Sequence, residues 1–158
     1  MVNFTSILNK KLSTIEKPPL LPIGTYIWAV DKIPETNSFT ARESGVFYET
    51  LTFMMRCVEA TEDVDPDDLE SYGNLSRVKR RKQFLFDTSD EQAFKRSLFN
   101  LTTFIERHLA VDGAAKMELN EALNSTIEHQ CLGVVQWRPN PKDAENPFDE
   151  ISRTAPIG

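Results

Sequence analysis

The sequence predicts a mainly-β, α+β fold in which five strands form a Greek-key barrel and a helix separates the third strand from the fourth. Five segments are rich in β-branched and aromatic residues, and several of them alternate between apolar and polar side chains. One longer segment instead repeats apolar residues every three or four positions, which is the spacing of a helix. The chain has 158 residues, of which 40% are hydrophobic, so its length and composition suit one globular domain.

The first residues predict a short amphipathic arm ahead of that domain. Residues 1–17 place apolar side chains at roughly helical spacing, and Pro18 and Pro19 then end any helix. We therefore divide the chain into an N-terminal arm, residues 1–19, and a binding domain, residues 20–158. The arm either packs against its own domain or docks on a second subunit or another protein. Its apolar residues are Phe4, Ile7, Leu8, Leu12 and Ile15.

Two strands joined by a hairpin follow the arm. Residues 25–33 are rich in β-branched and aromatic side chains and predict strand one. Residues 34–45 are polar and contain turn-forming residues, so they predict a hairpin connection to a long strand two, residues 46–58. Because side chains alternate between the two faces of a strand, strand two has a core face and a half-exposed face. The core face carries Leu51, Phe53, Met55 and Cys57, and the half-exposed face carries Tyr48, Thr50, Thr52, Met54 and Arg56.

Strand three begins with a run of cations. The acidic stretch at residues 59–70 predicts a long solvated loop, and residues 78–86 then resume as a strand. Alternation places cations on both faces at the start of this strand, so we predict it at an edge or in a protruding hairpin. One face carries Arg80, Lys82, Phe84 and Phe86, and the other carries Lys79, Arg81, Gln83 and Leu85.

The most regular helical pattern covers residues 90–109. Its start is predicted at Ser89, whose hydroxyl can cap the helix while Gln92 reaches back to the cap. A second, shorter helix is predicted over residues 116–127. The apolar stripe of the first helix consists of Phe94, Leu98, Leu101, Ile105 and Leu109.

Two closing strands, residues 130–138 and residues 148–154, complete the order strand, strand, strand, helix, strand, strand. This is the order of the OB-fold, a five-stranded Greek-key barrel with a helix between strands three and four. Other α+β sandwiches produce the same order, so the order alone leaves them open.

Reactive side chains are sparse, and their pattern predicts a protein without catalytic residues, a metal site or a cofactor. Neither His108 nor His129 lies beside cysteines or carboxylates at the spacing of zinc ligands. The sequence has no phosphate-binding glycine loop, and its acidic stretch lacks the glycine and the glutamate of a calcium loop. Cys57 and Cys131 each lie in an apolar stretch, which predicts buried free thiols. Without an apolar run of about 18 residues or a signal sequence, we expect a cytoplasmic protein with no membrane contact.

Charge is segregated along the chain. The formal net charge is −6, which by itself argues against a phosphate-rich partner. Five of the six residues at positions 77–82 are basic, however, and the other 152 residues carry 13 basic and 24 acidic side chains, a balance of −11. Such segregation lets an acidic protein steer a partner to one local basic surface.

This basic run and the aromatic residues of the strands together predict binding of single-stranded nucleic acid. Cations along a strand contact phosphates, and flat rings stack on bases. The alternatives are that the rings belong to the core and that the basic run is a solvated edge whose charges deter aggregation. The predicted phosphate contacts are Lys79, Arg80, Arg81 and Lys82, extended by Arg56, Arg138 and Arg153, and the predicted stacking rings are Tyr26, Trp28, Tyr48 and Trp137.

Three short motifs resemble a known family. They are PPLLPIGTY at residues 18–26, WRP at residues 137–139 and EISRT at residues 150–154. Together they resemble small phage proteins encoded in replication and recombination modules, which look like OB-fold single-stranded-DNA-binding proteins. The resemblance spans most of residues 18–157. The positions that match are the glycine-led first strand, residues 24–30, together with Trp137, Arg138 and Arg153.

The resemblance implies a sequence-independent single-stranded-DNA-binding protein of a phage replication or recombination system, in the cytoplasm of a bacterial host. Its partners would be single-stranded DNA and replication or recombination proteins, and a homo-oligomer is left open. The chain lacks the acidic C-terminal tail with which better-known single-strand binders recruit such proteins. The alternative function is a protein-interaction or assembly module that acts through the acidic loop at residues 59–70 and the N-terminal arm. An enzyme ranks third.

Overall fold

A computed structural model describes residues 4–12, 19–143 and 145–158 of the chain. These residues form a mainly-β, α+β fold that is built on an antiparallel sheet of six strands. The strands are β1 (Gly24–Val30), β2 (Glu35–Thr40), β3 (Phe47–Ala60), β4 (Lys79–Asp87), β5 (Gln130–Arg138) and β6 (Phe148–Ala155). The helices are α1 (Phe4–Ile7), α2 (Pro66–Tyr72), α3 (Glu91–Thr103) with a π-helical turn (Phe104–His108), a 3₁₀ turn (Ala114–Lys116) and α4 (Leu119–Asn124).

The long strand β3 organises the sheet. β4 pairs along one edge of β3, while β2 and β1 pair with the first and second halves of the other edge. β1 also pairs with β5, and β5 pairs with β6, which gives the order β2-β3-β1-β5-β6. Among the strands described, β4 pairs with β3 alone, so the predicted edge position of the basic strand is confirmed.

The sheet contains one strand more than predicted. β2 lies inside residues 34–45, which we predicted as a polar connection. All of its residues are exposed, so no apolar face marks it in the sequence. It forms instead by backbone pairing with β3, from Glu35 opposite Thr52 to Thr40 opposite Phe47.

The strands that bury one face are confirmed. β5 has the predicted bounds, and the whole predicted core face of β3 is buried. β1 ends at Val30 instead of continuing to Ile33. Ile33 is exposed and precedes Pro34, which has no backbone N–H to donate to a neighbouring strand.

The acidic stretch is not a continuous loop, because it contains the start of α2. The Asp65 side chain accepts hydrogen bonds from the backbone amides of Asp67 and Asp68, and Pro66 occupies the first turn. None of the helix residues is buried. Leu69 and Tyr72 are only partly buried against the core, so the helix has no fully buried apolar stripe for the hydrophobic pattern to reveal.

The main predicted helix is confirmed in extent and differs in detail. Asp90, not Ser89, caps α3 and accepts from the amides of Gln92 and Ala93. Ser89 instead donates its hydroxyl to Asp87 at 2.6 Å. α3 then continues as the π-helical turn to His108. The second predicted helix shortens to the 3₁₀ turn and α4.

The core lies between the sheet and α3 with its π-helical turn. Phe53, Phe84 and Phe104 meet there, with ring centroids 5.0 to 5.8 Å apart. Cys57 and Cys131 are buried free thiols, as predicted, and burial raises their pKa values to about 11 and about 12. Every buried side-chain N or O atom within the described ranges has a hydrogen-bond partner.

The described part of the predicted arm is residues 4–12 and 19, and it contains the single helical turn α1. Phe4, Leu8 and Leu12 are strongly exposed, so these apolar side chains do not pack on the domain. The predicted arm residue Ile15 lies outside the described residues. No described helix is long and apolar enough to cross a membrane.

Candidate nucleic-acid interface

The basic strand divides its cations between two sides of the sheet, as its alternation predicted. Lys82 and Phe84 lie opposite the buried residues Phe53 and Leu51 of β3, so they face the core side. Arg81 lies opposite the half-buried Met54 on the other side. We call that other side the outer face. Its accessible residues are Phe39 of β2, Tyr48, Thr52, Met54 and Arg56 of β3, and Lys79, Arg81 and Gln83 of β4. Thr50, which we predicted as half exposed on this face, is buried.

Arg80 has a structural role instead of the predicted phosphate contact. Its guanidinium forms an ion pair with Asp149 of β6, with Nη2 2.9 Å from Oδ2, and thereby joins β4 to β6. The same Asp149 oxygen accepts the backbone amide of Leu21 at 2.8 Å. Burial alone would raise the pKa of Asp149, but these hydrogen bonds lower it below its ordinary value. The Arg80 guanidinium therefore binds Asp149 within the fold and is not free to contact a phosphate.

Lys82 lines a cleft between β4, the π-helical turn and β6. The cleft has a volume of about 400 Å³, and His108 and Arg153 also line it. Burial lowers the pKa of Lys82, and no carboxylate within the described ranges forms an ion pair with it or with Arg153. His108 is held by Thr154, with Nδ1 2.7 Å from Oγ1. Lys82 and Arg153 are therefore available to an anion at the edge of the sheet.

Two outer-face cations are already neutralised. Arg56 contacts Asp31 at 3.0 Å and Glu128 at 2.7 Å, and Lys79 contacts Asp31 at 2.9 Å. The hydrogen bond from Lys79 is the main cause of the lowered pKa of Asp31. In the part of the chain that the structure describes, Arg81 has no such ion pair. Arg81 is therefore the outer-face cation best placed to meet a phosphate.

An aromatic pair lies on the same face. The rings of Phe39 and Tyr48 stack with centroids 5.4 Å apart and planes 29° apart, and Phe39 is exposed. A cleft of about 270 Å³ beside them is lined by Phe39, Met54, Arg81 and Gln83. Sequence reasoning predicted Tyr48 and missed Phe39, because Phe39 lies in the segment that we predicted as a connection. Its one signal is that it is the only aromatic residue in residues 34–45.

Tyr26 and Trp28 are core residues, which corrects their predicted stacking role. Both are fully buried, so neither ring has a face open to a base. The Tyr26 hydroxyl donates to the Pro22 carbonyl at 2.6 Å, and the Trp28 indole donates to the Gly133 carbonyl at 3.2 Å. Each polar group has a partner inside the fold, which is what burial of these side chains requires.

Trp137 and Arg138 lie apart from the aromatic pair. Trp137 is 47% exposed and donates its indole N–H to the Leu21 carbonyl at 2.8 Å, near the start of β1. The start of β1 pairs with the end of β3 at Ala60, whereas Tyr48 lies at the beginning of β3. Arg138 forms an exposed ion pair with Glu150 at 3.5 Å. The structure therefore places Tyr48, Arg56, Lys79 and Arg81 on one face, Lys82 and Arg153 around the edge, and Trp137 with Arg138 elsewhere.

Within the described ranges, no group of three or more His, Cys, Asp or Glu side chains could hold a metal ion. Comparison of the sequence with models of protein families and with curated proteins finds no match. The function is therefore inferred from the fold and from the outer face.

Proposed function

We propose that the chain is an OB-fold, sequence-independent single-stranded-DNA-binding protein of a phage replication or recombination system. It would sequester a strand without a chemical step. The observation that carries the proposal is the stacked pair Phe39 and Tyr48 beside Arg81, on the outer face of β3 and β4. An aromatic platform next to a cation is the combination that holds a single strand without reading its sequence.

The strand order supports the OB-fold. Without β2, the strands run β4-β3-β1-β5-β6, and α3 lies between β4 and β5 in the chain. A barrel of this kind requires the two end strands to approach each other, and the ion pair between Arg80 and Asp149 joins β4 to β6. In OB-folds the surface of the second and third barrel strands is a common binding site for oligonucleotides. Here those strands are β3 and β4, which carry most of the outer face.

The charges support weak and local phosphate binding. Arg56 and Lys79 are paired with carboxylates, which leaves Arg81 on the outer face and Lys82 with Arg153 around the edge of β4. Each phosphate contact to a single strand contributes about −0.7 to the slope of log affinity against log salt. Two or three contacts therefore predict a slope of about −1.4 to −2.1, a shallow dependence for a nucleic-acid-binding protein.

Fluorescence anisotropy with a labelled oligonucleotide at low salt tests the proposal. Because a stacked base contributes about 1–3 kcal/mol, Phe39→Ala or Tyr48→Ala should weaken binding by about 5-fold to 150-fold. Phe99→Ala is the matched control, since Phe99 is an exposed phenylalanine on α3. Wild-type affinity in both Phe39→Ala and Tyr48→Ala, or no binding by the wild type, would contradict the proposal.

A second pair of variants tests the cation. Arg81→Ala should weaken binding and make the salt slope shallower by about 0.7. Arg96→Ala removes an exposed arginine from α3 and should leave both quantities unchanged. Equal losses in the two arginine variants would mean that general charge, not the outer face, attracts the strand.

A further inference from the structure

A second surface, distinct from the stacked aromatic pair, is an apolar groove along α3. Two adjoining clefts of about 350 and 510 Å³ share Leu98 and Leu119. Ile105 and Met117 line the first cleft, and Phe94 and Leu123 line the second. We call these two clefts together the helical groove.

The helical groove is open in the single chain. Leu98 and Leu119 are 37% and 47% exposed, and other apolar side chains lie beside them in both clefts. A contiguous exposed apolar surface of this kind marks a site that another element covers. Among the described residues that line the groove, the charged ones are Glu49 and Glu106, both acidic.

The arm has the complementary surface. Phe4, Ile7 and Leu8 lie at positions i, i+3 and i+4, which is the spacing of one side of a helix, and the single turn α1 contains the first two of them. Phe4 and Leu8 are 69% and 63% exposed. Amphipathic helices with this spacing bind apolar grooves. Lys10 and Lys11, which follow Leu8 after one residue, are basic, opposite in sign to the acidic residues of the groove.

The single chain leaves both apolar surfaces uncovered. Phe4 and Leu8 are strongly exposed although they belong to the same chain as the groove. Leu98 and Leu119 of the groove are exposed as well. A contact between the arm of one copy and the groove of another would cover both surfaces at once.

We propose that the arm of one copy docks its Phe4, Ile7 and Leu8 side into the helical groove of a second copy. If two copies exchange arms, the dimer is closed and two-fold symmetric. If each arm docks on a different copy, the contact is heterologous and continues along a row of copies. It does not depend on nucleic acid, so its test is independent of the proposed function.

Sedimentation velocity of the full-length protein, without nucleic acid, tests this contact. The arm variant is Phe4→Ser with Leu8→Ser, and the groove variant is Leu98→Glu. The wild type should sediment as a species larger than one chain, and each variant should weaken self-association by at least about 10-fold, because a buried Phe or Leu contributes about 1.5–3 kcal/mol. Phe99→Ser is the matched control, since Phe99 is exposed on α3 but does not line the groove, and it should behave as the wild type.

Mixing the two variants gives the decisive result. The arm variant retains an intact groove and the groove variant retains an intact arm, so an equal mixture should form a two-chain species that neither forms alone. A monomeric wild type, unchanged assembly in either variant, or a mixture that stays monomeric would overturn the proposal. Recovery of assembly on mixing also shows that both variants are folded.

Discussion

Replacing Asp149 by Asn should destabilise the fold far more than an isosteric change at an exposed ion pair. Asp149 is 9% exposed and accepts from Arg80 and from the Leu21 amide. The substitution keeps an acceptor for Leu21 but leaves the Arg80 guanidinium without its counter-charge. Breaking a buried ion pair costs about 3–5 kcal/mol, and because Arg80 is 27% exposed we expect about 2–3 kcal/mol.

Thermal and urea unfolding measure this loss. For a chain of this length, 2–3 kcal/mol corresponds to a fall in Tm of about 4 to 12 °C. Glu150→Gln is the matched control, since it breaks the exposed pair with Arg138 and should cost less than about 1 kcal/mol. Equal stability of D149N and E150Q would refute the assigned role of the ion pair. The double variant R80M/D149N should be more stable than D149N, because the unpaired charge is removed.

The pH dependence follows from the same contacts. The pKa of Asp149 is lowered in the fold, so its contribution to the free energy of unfolding is complete above the ordinary aspartate pKa of about 3.9. That contribution is lost as the pH falls below this value through the lowered pKa of the folded state. D149N should therefore lose less stability than the wild type as the pH is lowered from about 5 to about 2.

Three further predictions concern the core and a helix cap. Gly133→Ala would place a Cβ 2.6 Å from Cδ1 of Trp28, so it should destabilise by about 1–3 kcal/mol and alter tryptophan emission; an unchanged emission spectrum would count against this packing. Cys57 and Cys131 should react with a thiol reagent at pH 8 only after unfolding, because burial raises both pKa values; rapid labelling of the native protein would contradict this. Asp65→Ala should cost about 1 kcal/mol in urea unfolding through the lost cap of α2, and no measurable loss would show that the cap is dispensable.

Elements that bury an apolar face could be predicted from the sequence. β5 and α3 follow their hydrophobic periods closely, because burial of one face is what those periods encode. β2 and α2 have no buried residue and were missed. β2 forms by backbone pairing with β3, and α2 combines its Asp65 cap with only partial burial of Leu69 and Tyr72, so neither element shows a clear hydrophobic period.

The candidate site was predictable only in part, for a related reason. The alternation of β4 correctly divided its cations between two sides. The carboxylates that neutralise Arg80 and Arg56 lie 69 and 72 residues away in the chain, at Asp149 and Glu128, so no local pattern reveals them. Trp28 illustrates the same limit, because an aromatic residue on a strand has the same sequence signature whether it faces the core or the solvent.

The carboxylates beside Arg56 and Lys79 also affect how a bound strand would leave. With those two cations neutralised, a strand on the outer face would be held chiefly through its bases at Phe39 and Tyr48. Stacking acts only at short range, whereas a row of unpaired cations attracts the backbone over a longer distance. On the proposed function, the protein would therefore exert little long-range attraction on a released strand and would pass it readily to the next protein that acts on the DNA.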